Sequence, residues 1–152
     1  MKKSLFSIAF FLSASILSFS QMPTTTPLKE GDVDKFIKTY EPLVADLDAL
    51  GESFDNVGDY NMIQTLAANE KIKSVFAKHG WDGDWTGKWI TISIAYGLVK
   101  MEEEMAKMPA EQRAQVQQYM AASSEQMKAM ITEDDLQKVK SKMEELNKIF
   151  DK

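Results

Sequence analysis

The sequence predicts an all-α protein: a single small helical bundle of four to five helices, with the helix near 84–107 central and a C-terminal αα-hairpin. Three observations predict it. Apolar residues recur at steps of three and four through most of residues 31–152. The stretch Trp81 to Met108 holds all three tryptophans and the longest apolar run outside the N-terminus, then turns sharply polar. The one strand-like alternation, Ile90 to Tyr96, runs without a turn signal into a helical pattern and has no partner strand nearby.

The elements follow in order. Residues 1–20 read as a cleaved secretory signal peptide: Lys2 and Lys3, an apolar run from Leu5 to Phe19, and small residues Ser18 and Ser20 ahead of Gln21. An uncleaved anchor is the poorer reading, because that run is short for a span and contains four serines. The chain has no cysteine, so it carries neither a cysteine-linked lipid nor a disulfide. The expectation is export to the periplasm or outside the cell, as a soluble chain that is not a lipoprotein and has no membrane span once the signal is removed. Residues 21–30, bearing Thr and Pro, read as a flexible lead-in, and 31–152 as a single helical domain.

Asp32 opens an amphipathic stretch with Val33, Phe36, Ile37, Tyr40, Leu43, Val44, Leu47 and Leu50 on one face. Pro42 inside it predicts a kink or break, and Gly51 a stop. Asp59 caps the next expected helix, which carries Met62, Leu66, Ile72, Val75 and Phe76 and ends at Gly80. Its phase drifts at Asn69, which would then face the core and need a hydrogen-bond partner. The central helix presents two stripes. One is Ile90, Ile94, Leu98, Met101, Met105 and Met108; the other is Trp81, Trp85, Trp89, Ile92, Tyr96 and Val99. A helix apolar on two faces in its first half and one in its second enters the middle of a bundle and leaves near its surface. Pro109 starts a fourth helix with Val116, Met120, Ser123, Met127 and Met130 in phase. Thr132-Glu133-Asp134-Asp135 resembles a capping box opening a last helix along Leu136, Val139, Met143, Leu146 and Phe150. The tight link at Thr132 predicts the hairpin.

Charge narrows the partners. The formal charge of −5 becomes −7 when Lys2 and Lys3 leave with the signal, which argues against nucleic acid and anionic membrane surfaces. Lys29 to Asp59 carries nine carboxylates against three lysines, suited to a basic partner, to divalent cations or to a solvated face.

Asp82-Gly83-Asp84-Trp85-Thr86-Gly87 resembles the first half of an EF-hand calcium loop, with oxygens at its first, third and fifth positions and glycine at its sixth. That resemblance implies Asp82, Asp84 and Thr86 as metal ligands. It ends at Ser93, which stands where the family has a bidentate Glu, and at Trp89, which replaces a branched aliphatic. The competing reading is that Asp82 or Asp84 caps the central helix while the glycines turn the chain. Trp81, Trp85, Trp89, Tyr96, Met101 and Met105 are candidates for binding an apolar ligand or a protein if exposed, and core if not. Seven of the ten methionines lie between Met101 and Met143, and their thioethers also suit Cu(I). Trp81 and Trp85, nearest the helix start, are expected to be partly exposed. His79 is the only histidine, and no nucleophile elbow, phosphate loop or zinc motif is present. The sequence thus points to a non-enzymatic binding module for a protein or apolar ligand, with no cofactor. Cation binding by Ca²⁺ or Cu(I) is the alternative, and a carboxylate-dependent enzyme the third reading.

Overall fold

The computed structural model of the protein describes residues 24–51 and 68–150. The expected signal peptide, the cap expected from Asp59 and the positions Met62 and Leu66 lie outside the described residues. The protein is all-α, with no strand among the described residues. Its helices are α1 (Asp32–Asp48), α2 (Glu70–Lys78), α3 (Trp85–Lys107), α4 (Ala110–Met130), α5 (Glu133–Lys140) and α6 (Met143–Phe150). None is long and apolar enough to cross a membrane.

α1 follows Gly31, whose φ of 82° lies in the left-handed region that glycine adopts without steric cost. The side chain of Asp32 closes the entry by accepting the Lys29 N–H at 2.7 Å. The expected break at Pro42 does not occur: α1 runs through it. Pro42 is exposed, on the side of the helix where water can serve a carbonyl that has lost its helical donor. Leu50, expected on the buried face, is 44% exposed because it lies beyond the helix end.

The phase drift at Asn69 marks a helix start. Asn69 is the N-cap of α2, and its side chain accepts the Lys71 N–H at 3.0 Å. α2 closes in a Schellman motif: the Trp81 N–H reaches the Phe76 carbonyl and the Gly80 N–H that of Ala77, both at 2.8 Å, with Gly80 at φ 78°. This motif delivers Trp81 directly into the core.

α3 is the central helix. It is buried almost all round from Trp89 to Val99 and half-exposed from Met101 onward, as its two apolar stripes predict. The Arg113 guanidinium donates to the carbonyls of Met105 at 3.1 Å, Ala106 at 3.3 Å and Met108 at 3.1 Å, satisfying the end of α3 across the two-residue link to α4.

The close pairing expected across Thr132 falls one connection earlier: α4 packs mainly on α3, α5 also packs on α3, and α6 packs on α1. The last helix divides at Ser141 and Lys142, giving the separate α5 and α6. The capping box is present, with Thr132 Oγ1 accepting the Asp135 N–H at 3.1 Å and Asp135 Oδ2 accepting the Thr132 N–H at 2.9 Å. The other carboxylate oxygen of Asp135 turns α5 toward the chain start, accepting the Leu28 N–H at 2.6 Å.

That bond corrects the reading of the lead-in. Residues 24–30 form a strap across α3 and α5. Leu28, 5% exposed, is part of the core, and Thr26 is bonded to Thr91. Sequence periodicity could not reveal this, because the strap contributes one apolar side chain and otherwise binds mainly through its backbone.

Asp135 is buried and accepts from two backbone N–H groups and one hydroxyl. Removing the acceptor strands the buried Leu28 N–H, at about 1–3 kcal/mol, and costs two partly buried bonds from Thr132. Asp135→Ala is therefore expected to lower stability by about 3 kcal/mol in urea unfolding, whereas a loss below about 0.5 kcal/mol would show the bonds to be dispensable.

Candidate functional site

The tryptophan row is core. Trp81 is 2% exposed, Trp85 5% and Trp89 0%, so the expected partial exposure of Trp81 and Trp85 is not found. The reason is spatial. α2 and the Schellman turn fold over the start of α3, so even its first turn is covered. Phe76 stacks on Trp85 with ring centroids 3.6 Å apart. Trp89 stands among Phe36 at 4.5 Å, Phe76 at 5.1 Å, Trp81 at 5.8 Å and Tyr40 at 6.0 Å. The Trp81 indole N–H donates to Thr39 Oγ1 at 2.8 Å, and the Lys35 ammonium lies 4.6 Å from its ring centroid. The Trp89 indole N–H has no acceptor among the described residues. An unmade bond of this kind costs about 1–3 kcal/mol, while truncating a buried tryptophan costs about 3–5 kcal/mol, so packing outweighs it.

Tyr96 is half-buried. Its hydroxyl donates to Asn147 Oδ1 at 3.0 Å and its ring meets Phe150 at 4.6 Å, which ties α3 to α6. Met101 and Met105 are half-buried on the outer half of α3. Met101, Met127 and Met130 pack on the margin of the core, and Met108 and Met120 are half-buried beside them. α4 has no buried residue, and Tyr119 on it is 82% exposed. Sequence reasoning did not single out Tyr119; an aromatic among glutamines, out of phase with the methionines, was the available signal.

The calcium-like turn is a plain connection. Asp82 and Asp84 are exposed and Thr86 is half-buried. Gly83, at φ 61°, makes the turn. Asp84 occupies the N-cap of α3, but its side chain makes no capping bond, so the expected Asp cap is absent there. Among the described residues no group of three or more His, Asp or Glu side chains could hold a metal ion.

Three carboxylates of the acidic first segment pair with cations of other elements. Asp32 holds Lys88 of α3 at 3.0 Å, Asp34 holds Lys142 at 2.7 Å, and Asp46 holds both Lys78 and His79 at 2.7 Å. Asp32–Lys88 is the most enclosed of these pairs; each of the others has at least one partner open to solvent, where an ion pair is worth little. The hydrogen bond from Lys78, then that from His79, holds the Asp46 carboxyl below its ordinary value. Asp34 likewise raises Lys142, and burial raises the Tyr40 phenol. A groove of about 260 Å³ between α1 and α6 is lined by Tyr40, Glu41, Val44, Ala45, Asp48 and Ile149. Its two acids are both exposed, so their surroundings do not separate an acid from a base.

No protein-family model, curated protein or solved structure matches the chain.

The clasp at Asp46 has a defined pH dependence. Its folded value lies below the ordinary 3.8, so its contribution is full above that value and is lost as pH falls through the lowered one. In thermal melts, the gap between the native chain and Asp46→Asn is expected to stay constant from about pH 6 to about pH 4 and to close on further acidification. A gap that persists into strong acid would contradict the clasp.

Proposed function

We propose that the chain is an exported, non-enzymatic binding module whose outer methionine surface, on the second half of α3 and along α4, receives an apolar segment of a protein or another apolar ligand. One observation carries this reading. α4 is a 21-residue helix with no buried residue, yet it holds Val116, Met120, Met127 and Met130 half-covered along one side. A helix that finds so little cover within its own domain has apolar area left for a partner, and thioether side chains adapt their shape to varied apolar groups. Tyr119 adds an exposed aromatic of the kind enriched at interfaces. Export follows from the signal-like residues 1–20, and the acidic surface suits a partner other than nucleic acid. The calcium and carboxylate readings gain no support from the exposed Asp82 and Asp84 or from the two exposed acids of the α1–α6 groove.

The test is titration of the mature protein with 1-anilinonaphthalene-8-sulfonate, followed by backbone NMR. Saturable binding with shifts confined to residues 101–130 is expected. Met120→Gln combined with Met127→Gln should weaken it by about tenfold or more while leaving the melting temperature nearly unchanged. Absence of binding to the folded protein would overturn the reading.

A further inference from the structure

The strap shows what its groove can hold. The groove has four parts. Gly87 on α3 leaves a notch; Thr91, one turn on and fully buried, supplies a hydroxyl; Asp135 on α5 supplies a buried carboxylate; and the core beneath takes an apolar side chain. Thr91 Oγ1 accepts the Thr26 N–H at 3.2 Å, and its proton is shared between the carbonyls of Thr26 and Gly87, both at 2.9 Å. Two residues on, Asp135 Oδ1 accepts the Leu28 N–H at 2.6 Å while the Leu28 side chain enters the core. Pro27 lies between them. It has no N–H to strand, and its fixed φ keeps the segment extended. Thr25 Oγ1 donates to the Met130 carbonyl at 2.6 Å, holding the outer end. Most of this recognition is of backbone groups spaced as in an extended chain, with one pocket for Leu and one close approach at Gly87. That is how a peptide-binding groove works, here filled from within.

We propose that this groove is a binding site for an extended Thr-Pro-Leu-type segment of a partner protein, which the chain's own strap occupies in its absence. The inference does not rest on the methionine surface. The strap is suited to exchange because Leu28 is its only buried residue between Thr24 and Glu30, while Thr24, Pro27, Lys29 and Glu30 are exposed. A segment with so few buried contacts opens at lower cost than the whole fold. Its tether to α1 gives it an effective concentration of the order of millimolar, so a free peptide must compete with it.

The probe is the acetylated and amidated heptapeptide of residues 24–30, added to the full mature chain carrying Leu28→Ala, which weakens the strap and leaves the groove intact. Saturable binding and a raised melting temperature are expected. Binding to the native chain should be about tenfold weaker or less, because the intact strap competes. Adding Gly87→Ala should abolish the binding. A Cβ there would lie 2.9 Å from the Thr26 Cβ and 3.1 Å from its backbone N, blocking strap and peptide alike, while alanine favours the helix. A folded Leu28→Ala chain that binds no peptide overturns the proposal. So does binding that survives Gly87→Ala, or a concentration-dependent dimer of the native chain lost in Leu28→Ala, which would assign the groove to a second copy. If Leu28→Ala does not fold, hydrogen exchange of the native chain decides. Exchange of the Thr26 and Leu28 amides through an opening smaller than global unfolding supports the proposal, and exchange only with global unfolding overturns it.

Discussion

Burial of the Trp89 indole is the constraint on which the rest of the structure depends. Its ring is met by Phe36 and Tyr40 from α1, Phe76 from α2 and Trp81 from the turn, while Phe150 of α6 closes against Phe36 and Tyr40. One side chain on α3 therefore gathers α1, α2 and the turn between α2 and α3, and α6 joins this cluster through Phe36 and Tyr40. Packed rings at these separations contribute about 0.5–1.5 kcal/mol per pair beyond the area they bury, enough to offset an indole N–H left without an acceptor. A chain without disulfides needs such a centre, since covalent cross-links do not limit its unfolded ensemble.

The polar devices are arranged around that centre and act mainly by orientation. Asp32, Asp34 and Asp46 each take a cation from another element, which turns a locally acidic segment into a set of links from α1 to α2, α3 and the joint before α6. Asp135 does the same through hydrogen bonds, fixing both the start of α5 and the strap. Surface at the other end of the molecule is treated differently. Beyond Val99 the aromatic residues give way to methionines, burial becomes partial, and α4 runs along the margin without contributing a fully buried side chain. The domain thus divides into a tightly packed aromatic end and a soft thioether end, and the binding reading is assigned to the second.

Much of the fold was legible because helical periodicity is a property of local sequence. The central position of α3, its change from all-round to one-sided burial, the Thr132 capping box and the Gly80 stop follow from residue spacing and cap chemistry. The failures share one cause. Whether Trp81 and Trp85 face water depends on where α2 folds, and a stripe along one helix does not encode that. The strap escaped for the same reason: its partners, Thr91 and Asp135, lie 65 and 107 positions away and bind its backbone. Asn69 was misread because its side chain serves a cap rather than a face. Of the candidate site, Met101 and Met105 are half-buried, and the tryptophans and Tyr96 pack in or against the core.

The measurement that tests the central claim most directly is the intrinsic fluorescence of the folded protein, because all three tryptophans lie at the aromatic end between Trp81 and Trp89. The account predicts a blue-shifted emission that acrylamide barely quenches and that red-shifts only with cooperative unfolding. A red-shifted, readily quenched emission from the folded chain would contradict it, since an indole row open to water cannot be the centre that holds these helices together.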